Sequence, residues 1–197
     1  MSSGPGRKRM AKLALVLLVY ALTRSAAVAA PSFVPRQSPE FKISEPSGKS
    51  TLLSSLKGKV VVMEFFFVQS GHCMRIASML NKLNMEMGAR GFQALGVVFD
   101  LPNAPDSHGQ LVGPLVNYLK LTYPVGYSSK ADVDSYLNRA PKEILNIPQI
   151  IVIDRTGMIR AASGAAGGDP RLEDENSLRS LIDSLLKERS GATSAKK

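Results

Sequence analysis

The strongest strand pattern in the chain is Val60-Val-Val-Met-Glu-Phe-Phe-Phe-Val68, rich in β-branched and aromatic residues. Apolar residues at successive rather than alternate positions predict a strand buried on both faces, as in a parallel or mixed sheet. Phe92 to Phe99 predicts a second such strand, Gln149 to Ile153 a third, and Tyr123 to Tyr127 a shorter one. Asp154-Arg-Thr-Gly157 is a turn that brings Met158 to Ala161 back as a hairpin. Between the strands the period changes to that of a helix. Ile76, Met79, Leu80, Leu83 and Met87 fall on one face of a helix running from about Gly71–Cys73 to Gly88. Leu178, Leu181, Ile182, Leu185 and Leu186 form a second such stripe near the C-terminus. Weaker helical patterns cover about 110–121 and 131–139. Residues 41–57 carry short apolar stretches around a Ser47-Gly48 turn and one helical turn at Leu52 to Leu56, and Asp100-Leu-Pro-Asn103 reads as a loop. Strands alternating with helices in one domain predict an α/β fold, a central sheet with helices on both faces.

The two ends differ from this pattern. A basic stretch through Lys12 precedes the apolar run Leu13 to Leu22, and Ser25-Ala-Ala-Val-Ala-Ala30 follows. That order of basic, apolar and small residues is that of a secretory signal peptide over 1–29, with Ala27-Val28-Ala29 as the cleavage triplet. Ten apolar residues fall short of the about 20 that span a bilayer; an uncleaved N-terminal anchor is the alternative, and the only membrane contact expected. Either way the domain is exported, to the periplasm or cell envelope. Residues 30–40, with Pro31, Pro35 and Pro39, read as a linker; 41–189 is the folded domain, and 190–197 a polar, disordered tail.

Charge changes the picture less than it first suggests. The net charge of +9 falls to +4 once the five basic residues of the first 29 positions are set aside, leaving 20 basic against 16 acidic. No basic cluster interleaved with aromatics stands in the rest, so nucleic acid is not an expected partner. The single cysteine, Cys73, excludes an internal disulfide. An exported chain of this length then depends on an ordinary hydrophobic core.

The motifs now identify a family. Leu56-Lys-Gly-Lys-Val-Val-Val-Met-Glu-Phe-Phe66 followed by Ser70-Gly-His-Cys73 resembles the strand and active-site loop of the thioredoxin superfamily. Asn146-Ile-Pro-Gln-Ile-Ile-Val-Ile-Asp154 followed by Arg-Thr-Gly-Met-Ile-Arg160 resembles the segment around that superfamily's cis-proline. The strand and helix inserted between the two blocks are similar to those of the exported TlpA-like and AhpC/TSA (redoxin) branch. The resemblance covers roughly residues 40–188 and implies a thioredoxin-like fold with a central mixed sheet. The family's Trp-Cys-x-x-Cys, however, stands here as Gln69-Ser70-Gly71-His72-Cys73. Ser70 occupies the position of the attacking cysteine, and no dithiol cycle within the chain is available.

By that resemblance, Cys73 lies in the first turn of a helix, where free N–H groups and the helix dipole lower a thiol pKa. Ser70, one turn earlier, is expected to donate a hydrogen bond to the sulfur; a plain helix cap is the alternative. Glu64 matches a buried carboxylate that exchanges protons with the second cysteine, unless it meets solvent or pairs with Lys59 or Lys82. Ile147 and Pro148, facing Gly71 and His72, would hold an extended substrate chain. Cys73 itself is either reactive or an inert core residue.

Three functions follow. Thiol–disulfide exchange through Cys73, with disulfide- or thiol-bearing proteins or small thiols as partners, is the first. A thiol peroxidase is the second, since Ser70-x-x-Cys73 fits a peroxidatic loop, although the Pro148 strand lacks the arginine such enzymes place there. A non-catalytic peptide-binding module is the third. No cofactor is implied. His72, Cys73 and the distant His108 have no recognised metal spacing. Gly48-Lys49-Ser50-Thr51 lacks the glycine that a phosphate loop requires five residues upstream, where Ile43 stands.

Overall fold

The computed structural model describes residues 34–99, 107–140, 145–163 and 168–188. The N-terminal segment, the Asp100–Asn103 loop and the C-terminal tail anticipated above lie outside them. Eight strands form one sheet: β1 (Arg36–Gln37), β2 (Lys42–Ser44), β3 (Ser50–Leu52), β4 (Val60–Phe66), β5 (Phe92–Phe99), β6 (Val125–Ser128), β7 (Gln149–Ile153) and β8 (Met158–Ala162). Among the described residues, four α-helices accompany them: α1 (Gly71–Met87), α2 (Ser107–Leu119), α3 (Lys130–Tyr136) and α4 (Glu175–Lys187).

The strand order is β1-β8-β7-β4-β5-β6-β2-β3. β4 lies inside, parallel to β5 and antiparallel to β7, which makes the sheet mixed. Every residue of β4 is buried, as its continuous apolar run requires. Successive side chains of a strand point to opposite faces, and β4 serves two cores accordingly. Val60, Val62 and Phe66 join Ala94, Val98, Ile150 and Val152 under α1, α2 and α4. Val61, Met63 and Phe65 join Phe41, Ile43 and the α3 residues Val133 and Tyr136 on the other face. Glu64 keeps the parity of Val62 and Phe66, so it points toward α1.

Element bounds follow the sequence pattern closely, and two differences concern the strands. The stretch read as a linker contains β1, whose Arg36 and Gln37 pair with Ile159 and Met158 on the edge of the sheet. The short strand predicted at Tyr123 starts at Val125 instead. Pro124 offers no N–H for a ladder, and the buried Tyr123 turns inward to donate its hydroxyl to the Ala77 carbonyl at 3.3 Å.

The β2–β3 hairpin joins the sheet through Ser44, paired with Tyr127. The approach is tight: a Cβ at Gly126 would lie 2.7 Å from the Ser44 carbonyl oxygen. Gly126→Ala is therefore expected to push the hairpin off β6 and to cost about 1–3 kcal/mol, as overpacking does. Chemical denaturation measures the loss, and faster amide exchange confined to β2 and β3 locates it.

Candidate active site

The chain leaves β4 at Phe66, turns through Phe67–Gln69, and enters α1 with Ser70 as its N-cap. Ser70 has extended backbone angles, and its Oγ accepts from the Cys73 N–H at 3.3 Å. Serine is favoured at this position because its oxygen satisfies one of the orphan N–H groups of the first turn. Its own carbonyl accepts from the Met74 N–H at 3.0 Å. Cys73 thus stands in the first turn of a 17-residue helix.

The thiol is fully buried, at 0% exposure, within the core that α1 closes. Burial decides its proton affinity. Desolvation pushes the Cys73 pKa above the ordinary thiol value, and the nearby Glu64 adds to the rise. The Ser70 hydroxyl and the backbone of Phe67 and of Cys73 itself act in the thiolate's favour without overcoming it. The lowered pKa expected from the helix N-terminus is thus corrected: burial of the sulfur raises it, outweighing the pull of the cap and the first turn. Of the two roles weighed for Ser70, the helix cap is the one the hydrogen bonds display.

Glu64 is also fully buried, and both of its carboxylate oxygens lack a hydrogen-bond partner. The lysines that offered an alternative are engaged elsewhere, Lys59 with Gln93 at 3.2 Å and Lys82 with Glu175 at 2.8 Å. Desolvation raises the Glu64 pKa well above the usual carboxyl range, and the charge of Glu173 raises it further. Its own charge in turn disfavours ionisation of Cys73 and of the buried Tyr123 phenol. Glu64, Cys73 and Tyr123 therefore form one buried electrostatic cluster between β4, α1 and the loop ahead of β6.

The remaining sequence-predicted residues lie on the first turn of α1 and just ahead of β7. Gly71 and His72 are exposed on the first turn of α1, and open space lies where a Cβ of Gly71 would be. The Ile147–Pro148 bond is cis. Gln149 and Ile150 pair with Phe65 and Glu64, so Pro148 sits at the end of the sheet from which the Ser70 loop emerges. Pro148 is buried and Ile147 half-buried against the core that holds Cys73. Two participants escaped the sequence reading. Tyr123 looked like the first residue of a strand. Glu173, on the 3₁₀ segment Pro170–Glu173, binds His72 Nε2 at 2.9 Å, a contact between residues too distant in sequence to leave a local signal. Among the described residues no cluster of His, Cys, Asp and Glu could hold a metal ion.

A sheet of this topology, with a helix N-terminus facing a cis-proline loop, defines a thioredoxin-like α/β protein. Residues 34–162 match the AhpC/TSA family model, and the chain belongs to that family, the redoxin branch of the thioredoxin superfamily. Its fold is similar to a thiol:disulfide interchange protein of the thioredoxin family from Chlorobium tepidum TLS, with 20% identity, 77% of this chain and 97% of that one covered, and a TM-score of 0.61. A thiol:disulfide interchange protein from Bacteroides sp. gives 21%, 81%, 94% and 0.61 for the same measures. A candidate protein disulfide isomerase from Bacteroides thetaiotaomicron gives 27%, 78%, 90% and 0.59. No curated protein matches the chain.

The Glu64 carboxyl makes stability depend on pH with a definite sign. It holds its proton more tightly folded than unfolded, so its contribution is complete below the unfolded carboxyl pKa of about 4.3. That contribution is lost as pH rises through the higher folded value. Glu64→Gln is expected to gain on the wild type steadily from about pH 4 upward, by about 1 kcal/mol or more at pH 8. Urea denaturation of both proteins across that range checks it; a constant difference would mean that Glu64 titrates in the folded protein as it does in the unfolded chain.

Proposed function

We propose that the protein is an exported monothiol exchange protein that forms mixed disulfides through Cys73. The observation that carries this reading is the unpartnered Glu64 carboxyl buried beside the thiol. A structural core has no use for such a group, whose burial in charged form costs several kcal/mol. A proton acceptor with a raised pKa, next to a thiol that must lose its proton, has one. The thiol:disulfide interchange proteins among the structural neighbours support the same class, and the basic, apolar and small-residue order of 1–29 supports export.

The step balances without a cofactor. The Cys73 proton passes to ionised Glu64, and the thiolate attacks one sulfur of a disulfide. The S–S bond breaks as the Cys73–S bond forms, and the departing thiolate takes the proton as a thiol. Cys73 and one substrate sulfur end as a mixed disulfide, and a second thiol must release it. Ser70 stabilises the transient thiolate. Gly71, His72, Ile147 and Pro148 line the mouth through which a disulfide- or thiol-bearing protein or small thiol would approach. A buried sulfur requires the first turn of α1 to give way locally, which a one-residue cap permits more easily than a packed helix centre. Arg75, the arginine nearest in sequence, is exposed, so the peroxidase reading gains no arginine at the sulfur from α1.

Treating the full-length protein separately with oxidised glutathione and with hydrogen peroxide, followed by mass spectrometry, tests this reading. A glutathione mixed disulfide on Cys73 is expected. A sulfenic acid with peroxide and no mixed disulfide would make the protein a thiol peroxidase, and an unmodified thiol in both would make it a binding module. Ser70→Ala should cost about 1 kcal/mol of stability through the lost cap. It should also move the pH profile of Cys73 alkylation to higher pH; an unmoved profile would leave Ser70 as a cap only.

A further inference from the structure

Cys73 is fully buried, so exchange through it requires part of the structure to move. The contacts on α1 decide which part that is. Along its second half α1 is fastened to α4 by ion pairs: Lys82 with Glu175 at 2.8 Å, Glu86 with Arg179 at 2.5 Å and, just past its end, Arg90 with Asp183 at 2.6 Å. Each pair lies four residues beyond the last on both sides, so the two helices run the same way with their turns in step. This series stops short of the sulfur. Lys82 stands nine residues after Cys73, about 13 Å along the helix. The first turn is held instead by the segment between β8 and α4, Asp169 to Asp174. At one end the Asp169 N–H donates to the Ala162 carbonyl at 2.8 Å. At the other the Asp174 carboxylate caps α4, accepting from the Ser177 N–H at 2.9 Å. Between these anchors Leu172 is buried in the same core as Cys73, and Glu173 Oε2 lies 2.9 Å from His72 Nε2. Among the described residues this is the one acid–base contact made by the first two turns of α1. Its side chains are 42% and 34% exposed, whereas the adjoining Cys73 has no exposure.

We propose that the segment Asp169–Asp174 is a strap over the Cys73 end of α1, with the His72–Glu173 contact as its latch, and that the latch opens for the sulfur to be reached. This rests on the reading of Cys73 as a reactive thiol and deepens it, by naming the contact that governs access. His72 and Glu173 are positioning residues: they act by holding down the turn that carries the sulfur. With the latch open, no other acid–base contact among the described residues restrains that turn, and a terminal turn opens far more readily than the domain unfolds. The pairs from Lys82 to Arg90 stay closed, so α1 remains docked and the thiol returns to its buried place afterwards. A substrate chain that bonds to His72 or Glu173 in place of its partner releases the latch itself, which makes arrival and access one event.

The test is the rate at which iodoacetamide alkylates Cys73 in the folded full-length protein, read by intact mass at one pH. His72→Ala and Glu173→Ala should each accelerate it by about two- to fivefold, the change that losing one partly exposed pair makes to a local opening. The double variant should be no faster than the faster single one, because the two residues make one contact. Lys82→Ala, which breaks the next pair along α1, should react at the wild-type rate. The two single variants also separate access from charge. Removing an acid and removing its basic partner would shift the thiol in opposite senses through the field alone, whereas an opened latch speeds both. His72 is on the surface, so His72→Ala carries the comparison if Glu173→Ala fails to fold. A wild-type rate in His72→Ala overturns the proposal. So does an equal acceleration in Lys82→Ala, which would make access a general loosening of α1. Oxidised glutathione tells this outcome from that of the exchange reading. Faster alkylation in the latch variants with no mixed disulfide in any of them removes the exchange reading and keeps the strap; a mixed disulfide at unchanged alkylation rates does the reverse.

Discussion

A carboxyl group moved from water into an apolar core is tolerable as a neutral acid and costly as an anion unless something pairs with it. Glu64 is placed in the middle of the central strand of an eight-stranded sheet, fully buried and without a partner. That single constraint orders the site. It adds to the burial that raises the Cys73 pKa and makes each charge within range consequential. In a medium of low polarisability, one anion such as Glu173 acts over distances at which solvent would otherwise silence it.

The site that results differs from a plain thiolate at a helix N-terminus. The cap and dipole of α1 favour ionisation of Cys73, and burial opposes it more strongly. Neither group is ready alone. The thiol needs an acceptor, and the carboxyl must first lose a proton to become one. The fully buried Cys73 contrasts with an exposed, permanently ionised cysteine, which any oxidant can reach.

Much of this was legible in the sequence. The run Val60 to Val68 required a strand buried on both faces, and it is found. For Glu64 and Ser70 the sequence left two readings each, and the structure displays the buried carboxyl and the helix cap. The periodicity of Leu178 to Leu186 identified α4, because a helix burying one face repeats its apolar residues at fixed intervals. What escaped depended on three-dimensional placement. β1 has two residues and no apolar alternation, so its pairing with β8 left no pattern. The direction of the Cys73 shift depended on depth of burial, which no spacing encodes. Glu173 reaches His72 only once the segment after β8 has folded across the first turn of α1.

The arrangement of the strands carries one more consequence. Both outer margins of the sheet are short: β1 offers two residues and β3 three, while the long ladders of β4, β5 and β7 are enclosed between them. A foreign chain seeking to extend the sheet would find too few free backbone groups to bind by main-chain pairing, the usual route to fibrillar self-association. The apolar sequences of β4 and β7 would be hazardous on a margin, and here they are internal.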